Sequence, residues 1–217
     1  MSESLLAPRF LFRFAAPLHR QDPIWSAKGV ALSEAHRLIP WAELDGQRCY
    51  ADVRAAWSEA GLAFTVEVTG KQQPCWCRET RLEDSDGLQV WIDTRDTHNV
   101  HRANKFCHRY TFLPAGTGRD HTQPMADQLI INRAKENAPA VRPQLLKVWS
   151  ELREGGYRLA AHLPREALAG FDPVEHPKLG FTYALFDREL GLQTFSAGLA
   201  YPFQEDPSVW ATLEMVK

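Results

Sequence analysis

Between Asp84 and Pro114 the chain reads DSDGLQVWIDTRDTHNVHRANKFCHRYTFLP. From Thr94 to Arg109 it carries Arg95, Asp96, His98, His101, Arg102, Cys107, His108 and Arg109, and three of its eight histidines lie there. Imidazole, guanidinium and carboxylate groups at this density, next to Trp91, point to a ligand site. The segment before Phe106 has no clean period, so Thr94–Lys105 reads as a loop and Phe106–Leu113 as a strand. On that strand His108 shares the core side with Tyr110 and Phe112. In an ordered loop the same groups also serve to pin the chain through hydrogen bonds.

A metal reading rests on Cys75, Cys77, Cys107 and His108. Thiolates and imidazole suit zinc or iron, and a Cys-x-Cys pair on extended chain aims both sulfurs the same way. Zinc knuckles space their ligands by two to four residues, whereas this pair has one intervening residue and no second pair. The competing reading is of small thiols packed as apolar residues. An enzymatic alternative is a metal-assisted hydrolase or oxidoreductase built around Cys77, Cys107, His101 and His108. The sequence has no G-x-S-x-G elbow, no H-E-x-x-H and no glycine-rich phosphate loop.

The chain has 217 residues, a net charge of −2 and 44% hydrophobic residues. That length and apolar share suit one domain with a substantial core. The absence of a basic stripe argues against nucleic acid as a partner. Arg9 and Arg13 break the apolar N-terminal stretch, unlike a secretory signal, and no run approaches a membrane span. The expectation is a cytoplasmic protein. Four cysteines are too few for a disulfide scaffold in a chain this long.

The elements that must hold these groups read as strands. Cys49, Ala51, Val53, Ala55 and Trp57 share one face, and after SEAG so do Leu62, Phe64, Val66 and Val68, which makes a hairpin. Leu88, Val90 and Ile92 face one way, with Gln89, Trp91 and Asp93 the other. Residues 115–123 read as a loop and 126–133 as a strand. A second hairpin joins 145–152 to 157–163 across Arg153-Glu154-Gly155-Gly156, and PREALAG makes a helical turn ending at Gly170. Residues 181–186, 192–197 and 210–216 close the set. The expected fold is all-β, an antiparallel, jelly-roll-like β-sandwich with long loops and at most short helical turns.

Over residues 48–217 this pattern resembles the carbohydrate-binding modules of family nine and the wider DOMON-like sandwiches. The resemblance is carried by AAWSEAGLAFTVEV, DSDGLQVWID, YRLAAHLPREAL and GFTYALFDRE…DPSVWATLEMV. The insertion TRDTHNVHRANKFCHRY is not part of the family pattern. Residues 1–47 are expected to add a strand and loops packed on this body, within a single domain spanning 1–217.

The resemblance implies a non-catalytic module whose partner is a carbohydrate or similar polyhydroxylated molecule, held in a slot between two tryptophans. A sugar ring offers flat C–H faces and a rim of hydroxyls, so its site wants aromatic plates beside bidentate donors and acceptors. Trp91 beside Asp93 and Arg95 fits that chemistry. Trp76 is the other candidate plate, with His101, Arg102 and His108 lining the loop. Trp149 and Trp210 also have polar parity, and loops that cover the second face would bury such residues as a satellite core. The resemblance further implies structural calcium, for which Glu83, Asp84 and Asp86 are the hard oxygen donors. Heme binding in the DOMON manner and a protein-interaction module without a small ligand are the remaining alternatives.

Overall fold

The structure, a computed structural model, describes residues 14–44 and 49–217. Arg9 and Arg13 lie outside the described residues. Eleven strands run in chain order as β1 (Ala15–Arg20), β2 (Ala51–Ser58), β3 (Gly61–Thr69), β4 (Gly87–Asp93), β5 (Cys107–Thr117), β6 (Gln123–Leu129), β7 (Lys147–Arg153), β8 (Gly156–Pro164), β9 (Lys178–Asp187), β10 (Gly191–Thr194) and β11 (Ala211–Val216). The described α-helix is a single turn, α1 (Trp41–Leu44), and the remaining helical pieces are three-residue 3₁₀ turns. The fold is all-β.

Hydrogen bonding orders the strands β6-β5-β4-β9-β11-β1-β2-β3-β8-β7, with β10 added to β9. Every pairing is antiparallel except at β1, which runs parallel to both neighbours. Ala15–His19 pair with Thr212–Val216, whereas only His19 and Arg20 pair with Ala56 and Trp57. The strand therefore leaves one layer and enters the other, turning a corner between them. At the far ends β6 and β7 run alongside one another, and the Ser150 hydroxyl on β7 donates to the Pro114 carbonyl on β5 at 2.6 Å. The sheet thus folds over on itself and nearly closes.

The core fills the space between the layers, and alternation decides who enters it. Val53, Ala55 and Trp57 on β2, Phe64 and Val66 on β3, and Leu159 and Ala161 on β8 meet Leu88, Val90 and Ile92 on β4 and Phe181, Tyr183 and Leu185 on β9. Phe64 stacks on Phe181 across the gap, ring centroids 5.9 Å apart. Gly61 opens β3 at φ +134°, where a Cβ would lie 2.1 Å from the Leu163 carbonyl, so the first hairpin needs glycine there.

The strand expected over 192–197 is the shorter β10, which ends at Thr194. Two further departures have a physical reason. β5 does not stop at Pro114 but runs to Thr117, with a register shift against β6 between Leu113 and Thr117. The irregularity accommodates a residue that has no amide to donate to the ladder. β6 begins at Gln123 and ends at Leu129, earlier than residues 126–133. As an edge strand it is half-buried with no clean alternation for periodicity to register.

Candidate functional site

The second face of β4 and β5 is covered as well. Trp91 is completely buried in a smaller cluster with Ala103, Cys107, Ile131, Phe203 and Trp210. Its indole N–H donates to the Gln204 carbonyl at 3.1 Å, Phe203 packs edge-on at 5.4 Å, and the Arg109 guanidinium lies 5.0 Å from the ring centroid. This corrects the reading of Trp91 as a stacking plate. The 203–210 segment supplies the apolar partners, and no face of the indole reaches solvent in this conformation. Trp210 is buried beside it, its N–H donating to the Phe203 carbonyl at 2.7 Å.

The polar residues of the following loop spend their hydrogen bonds on the protein. Asp93 is buried and caps its own turn, accepting the Arg95 amide at 2.9 Å and the Thr97 amide at 2.7 Å. Arg95 donates to the Gly170 carbonyl at 2.6 Å and lies over Phe106. Arg102 donates to the Arg133 carbonyl, and exposed His101 meets Asp206 and Ser208 at 3.1 and 3.0 Å. His98 meets Asp96 and Thr212, both at 2.9 Å. These groups tie residues 94–106 to three distant segments and converge on no common surface.

His108 faces the core, as its parity requires, stacked on Tyr110 with Nε2 3.3 Å from the Ala169 carbonyl. Burial pushes its pKa down to about 4, so the ring is neutral.

The cysteines do not assemble a metal centre. Cys77 packs with Leu113 and Ala115, whereas Cys107 sits in the Trp91 cluster. Burial pushes the thiols of Cys75, Cys77 and Cys107 each up to about 12. They are neutral, apolar fillers at neutral pH, not poised nucleophiles. Among the described residues no three His, Cys, Asp or Glu side chains gather to hold an ion.

The carboxylates expected to hold calcium are likewise engaged by cations of the chain. Glu83 pairs with Arg109 at 2.9 Å, Asp84 with Arg81 at 2.5 Å, and Asp86 with Lys71. Calcium does not fit this donor set. The Lys71 ammonium is buried, 2.5 Å from Asp187, 3.1 Å from Asp86 and 3.9 Å from Glu189, where a cation would have to sit. Burial alone would lower the Lys71 pKa, but the bonds to Asp187 and Asp86 outweigh it and raise it.

That ion cluster lies beneath Trp76, a partly exposed tryptophan met by three guanidinium groups, of which only Arg81 is paired to a carboxylate among the described residues. Asp86 accepts the Trp76 amide on Oδ2 at 3.0 Å and the Arg188 amide on Oδ1 at 2.8 Å. Asp187 caps the β9–β10 turn through the amides of Glu189 and Leu190, and Glu189 accepts the amides of Gln72 and Gln73. Gly87 follows at φ +154°, where a Cβ would lie 2.4 Å from the Phe112 carbonyl, so the chain enters β4 closely against β5.

On this base stands Trp76, half-buried, with the guanidinium of Arg188 4.5 Å from its ring centroid and those of Arg78 and Arg81 at 5.6 and 5.8 Å. A cleft of about 300 Å³ opens between residues 71–75, just before Trp76 in the chain, and the β7–β8 turn, lined by Gln72, Gln73, Arg153 and Glu154.

Three other concavities among the described residues hold no tryptophan with unpaired cations. One of about 480 Å³ is lined by Tyr50, Glu43, Asp52 and Glu67, and its Arg37 is paired with Glu43. A cleft of about 330 Å³ beside β6 has Arg109 in its wall but no aromatic lining. Trp149 borders a space of about 110 Å³ whose Arg54 is already bound to Asp52 and Glu34. Lys71, Arg78, Arg81, Asp187 and Arg188 were not singled out by spacing. Arg78 and Arg81 lie close enough to Trp76 in sequence to be noticed, but Lys71, Asp187 and Arg188 come together only through folding.

No family model matches the sequence, and no curated protein matches it significantly. Comparison with solved structures is decisive for the architecture. A carbohydrate-binding module of family 9 from Caldicellulosiruptor kristjanssonii, in complex with cellotriose, superposes with a TM-score of 0.61 over 93% of each chain at 13% identity. The fold is that of a family 9 module.

A family 9 module from C. kristjanssonii in complex with glucose gives a TM-score of 0.62 at 12% identity, covering 93% of this chain and 95% of that one. A candidate carbohydrate-binding protein from Bacteroides uniformis ATCC 8492 gives 0.52 at 13% identity, covering 94% and 100%. In this chain the start of β4 and the end of β9 lie under Trp76, through the Asp86 bonds to the Trp76 and Arg188 amides.

Proposed function

We propose that this chain is a non-catalytic carbohydrate-binding domain and that its sugar lies against Trp76. The observation that carries the reading is a half-exposed indole held by a buried ion cluster on a family 9 fold. A pyranose packs C–H groups on the part of the ring that the guanidinium groups leave exposed, and its hydroxyls accept from Arg78 and Arg188. The cleft bordered by residues 71–75, which precede Trp76 in the chain, has Gln72 and Gln73 on its wall as donors to a further sugar unit. The C. kristjanssonii family 9 structures, whose complexes contain cellotriose and glucose, support a saccharide as the ligand class.

A soluble and immobilised glycan screen with Trp76→Ala and Trp91→Ala variants tests the reading. The expected result is saturable binding by the natural chain that Trp76→Ala abolishes. Binding unchanged in Trp76→Ala would overturn the assignment of the plate, and a screen without any saccharide ligand would overturn the function.

A further inference from the structure

We infer that the Trp76 platform selects acidic sugars, that is, glycans carrying uronate carboxylates. The inference rests on the reading of Trp76 as the sugar plate. Three guanidinium groups lie within 6 Å of this one ring, on a chain whose net charge is −2. The concentration of positive charge is therefore local. Arg81 is paired with Asp84, but among the described residues neither Arg78 nor Arg188 has a carboxylate within ion-pair distance. Asp86, Asp187 and Glu189 spend their oxygens on Lys71 and on backbone amides, which leaves none to neutralise those two arginines.

A guanidinium packed over an indole uses its face for the ring and leaves N–H groups at its edge for a ligand; Arg78 gives one Nη1 bond to the Cys77 carbonyl at 3.1 Å and keeps its remaining N–H groups. That edge matches a carboxylate in a two-bond, charge-assisted pair, stronger than its bonds to a neutral hydroxyl. A uronate is the sugar that supplies both halves, a C–H face for Trp76 and a carboxylate for Arg78 or Arg188. A neutral sugar would leave the charge uncompensated.

The test is a calorimetric titration of the full chain with polygalacturonate, alginate and glucuronoxylan oligomers, each against its carboxyl-reduced counterpart of equal length. The members of each pair differ only in charge. The expected result is at least one pair in which the acidic oligomer binds about tenfold or more tightly, with the gap narrowing in high salt because exposed ion pairs are screened. An Arg78→Gln/Arg188→Gln double variant, whose substitutions are both on exposed side chains, should bring the ratio near one without lowering the melting temperature. Equal affinity for acidic and reduced oligomers would overturn the charge selection and leave the sugar site standing. Binding of neither, with none in the glycan screen, would overturn both.

Discussion

The Lys71 ammonium lies 3.1 Å from the Asp86 carboxylate, whose two oxygens also hold the amides of Trp76 and Arg188. A buried charge pair thereby fixes the backbone beneath a half-exposed aromatic residue. Removing one partner strands the other. Lys71→Met should cost about 3–5 kcal/mol, since it removes the buried cation from between the Asp86 and Asp187 carboxylates and leaves them without a partner. Denaturant unfolding measures this directly. A cost under about 1 kcal/mol would mean that water reaches the cluster.

The same geometry predicts how the chain responds to metal removal. Lys71 already supplies the positive charge at the Asp86, Asp187 and Glu189 carboxylates, so the melting temperature should be the same in excess chelator and in millimolar calcium. In Lys71→Ser the three carboxylates are freed, and added calcium should then raise the melting temperature by mass action. A calcium-dependent natural chain would contradict the role given to Lys71.

Stability should fall as the solution is acidified below neutrality. His108 and His162 are buried, and each titrates near 4 when folded, mainly because burial disfavours the charged ring. The unfolded rings take up protons near 6.5. Between these values the unfolded state binds more protons, so stability is full above about 6.5 and is lost as the pH drops toward about 4. The loss is about 3 kcal/mol per residue at the acid end. His108→Phe should flatten the slope in that window, measured by unfolding at a series of pH values.

The two tryptophans put forward from the sequence should behave in opposite ways. Trp91→Ala empties a buried site under Phe203 and should cost about 3–5 kcal/mol. Trp76→Ala, at a half-exposed position, should cost about 1 kcal/mol or less. Equal costs would mean that Trp76 is core and not platform.

Period-two patterning was a sound guide wherever a strand has one face on the main core. The faces of Val53–Trp57, Leu62–Val68, Leu88–Ile92 and Tyr157–Leu163 all point as their alternation requires. Parity located Trp91 on the second face but says nothing of what covers that face. The cover comes from Phe203 and Trp210, more than a hundred residues away.

The histidine-rich loop misled for the same reason. Its partners, Asp206, Ser208, Thr212, Ala169 and Gly170, are remote, so groups that look free in one dimension are engaged by the protein in three. Parallel pairing by β1 was also invisible, because AAPLHR is short and contains a proline. The Lys71–Asp86–Asp187 cluster joins two turns and the end of β9, and no local spacing announces it.

The most direct test is heteronuclear NMR of the indole N–H groups during titration with a saccharide identified by the glycan screen. The Trp76 signal should shift saturably together with those of Arg78 and Arg188. The Trp91 signal, bonded to the Gln204 carbonyl, should stay in place. Saturable shifts at Trp91 with Trp76 unmoved would contradict the account.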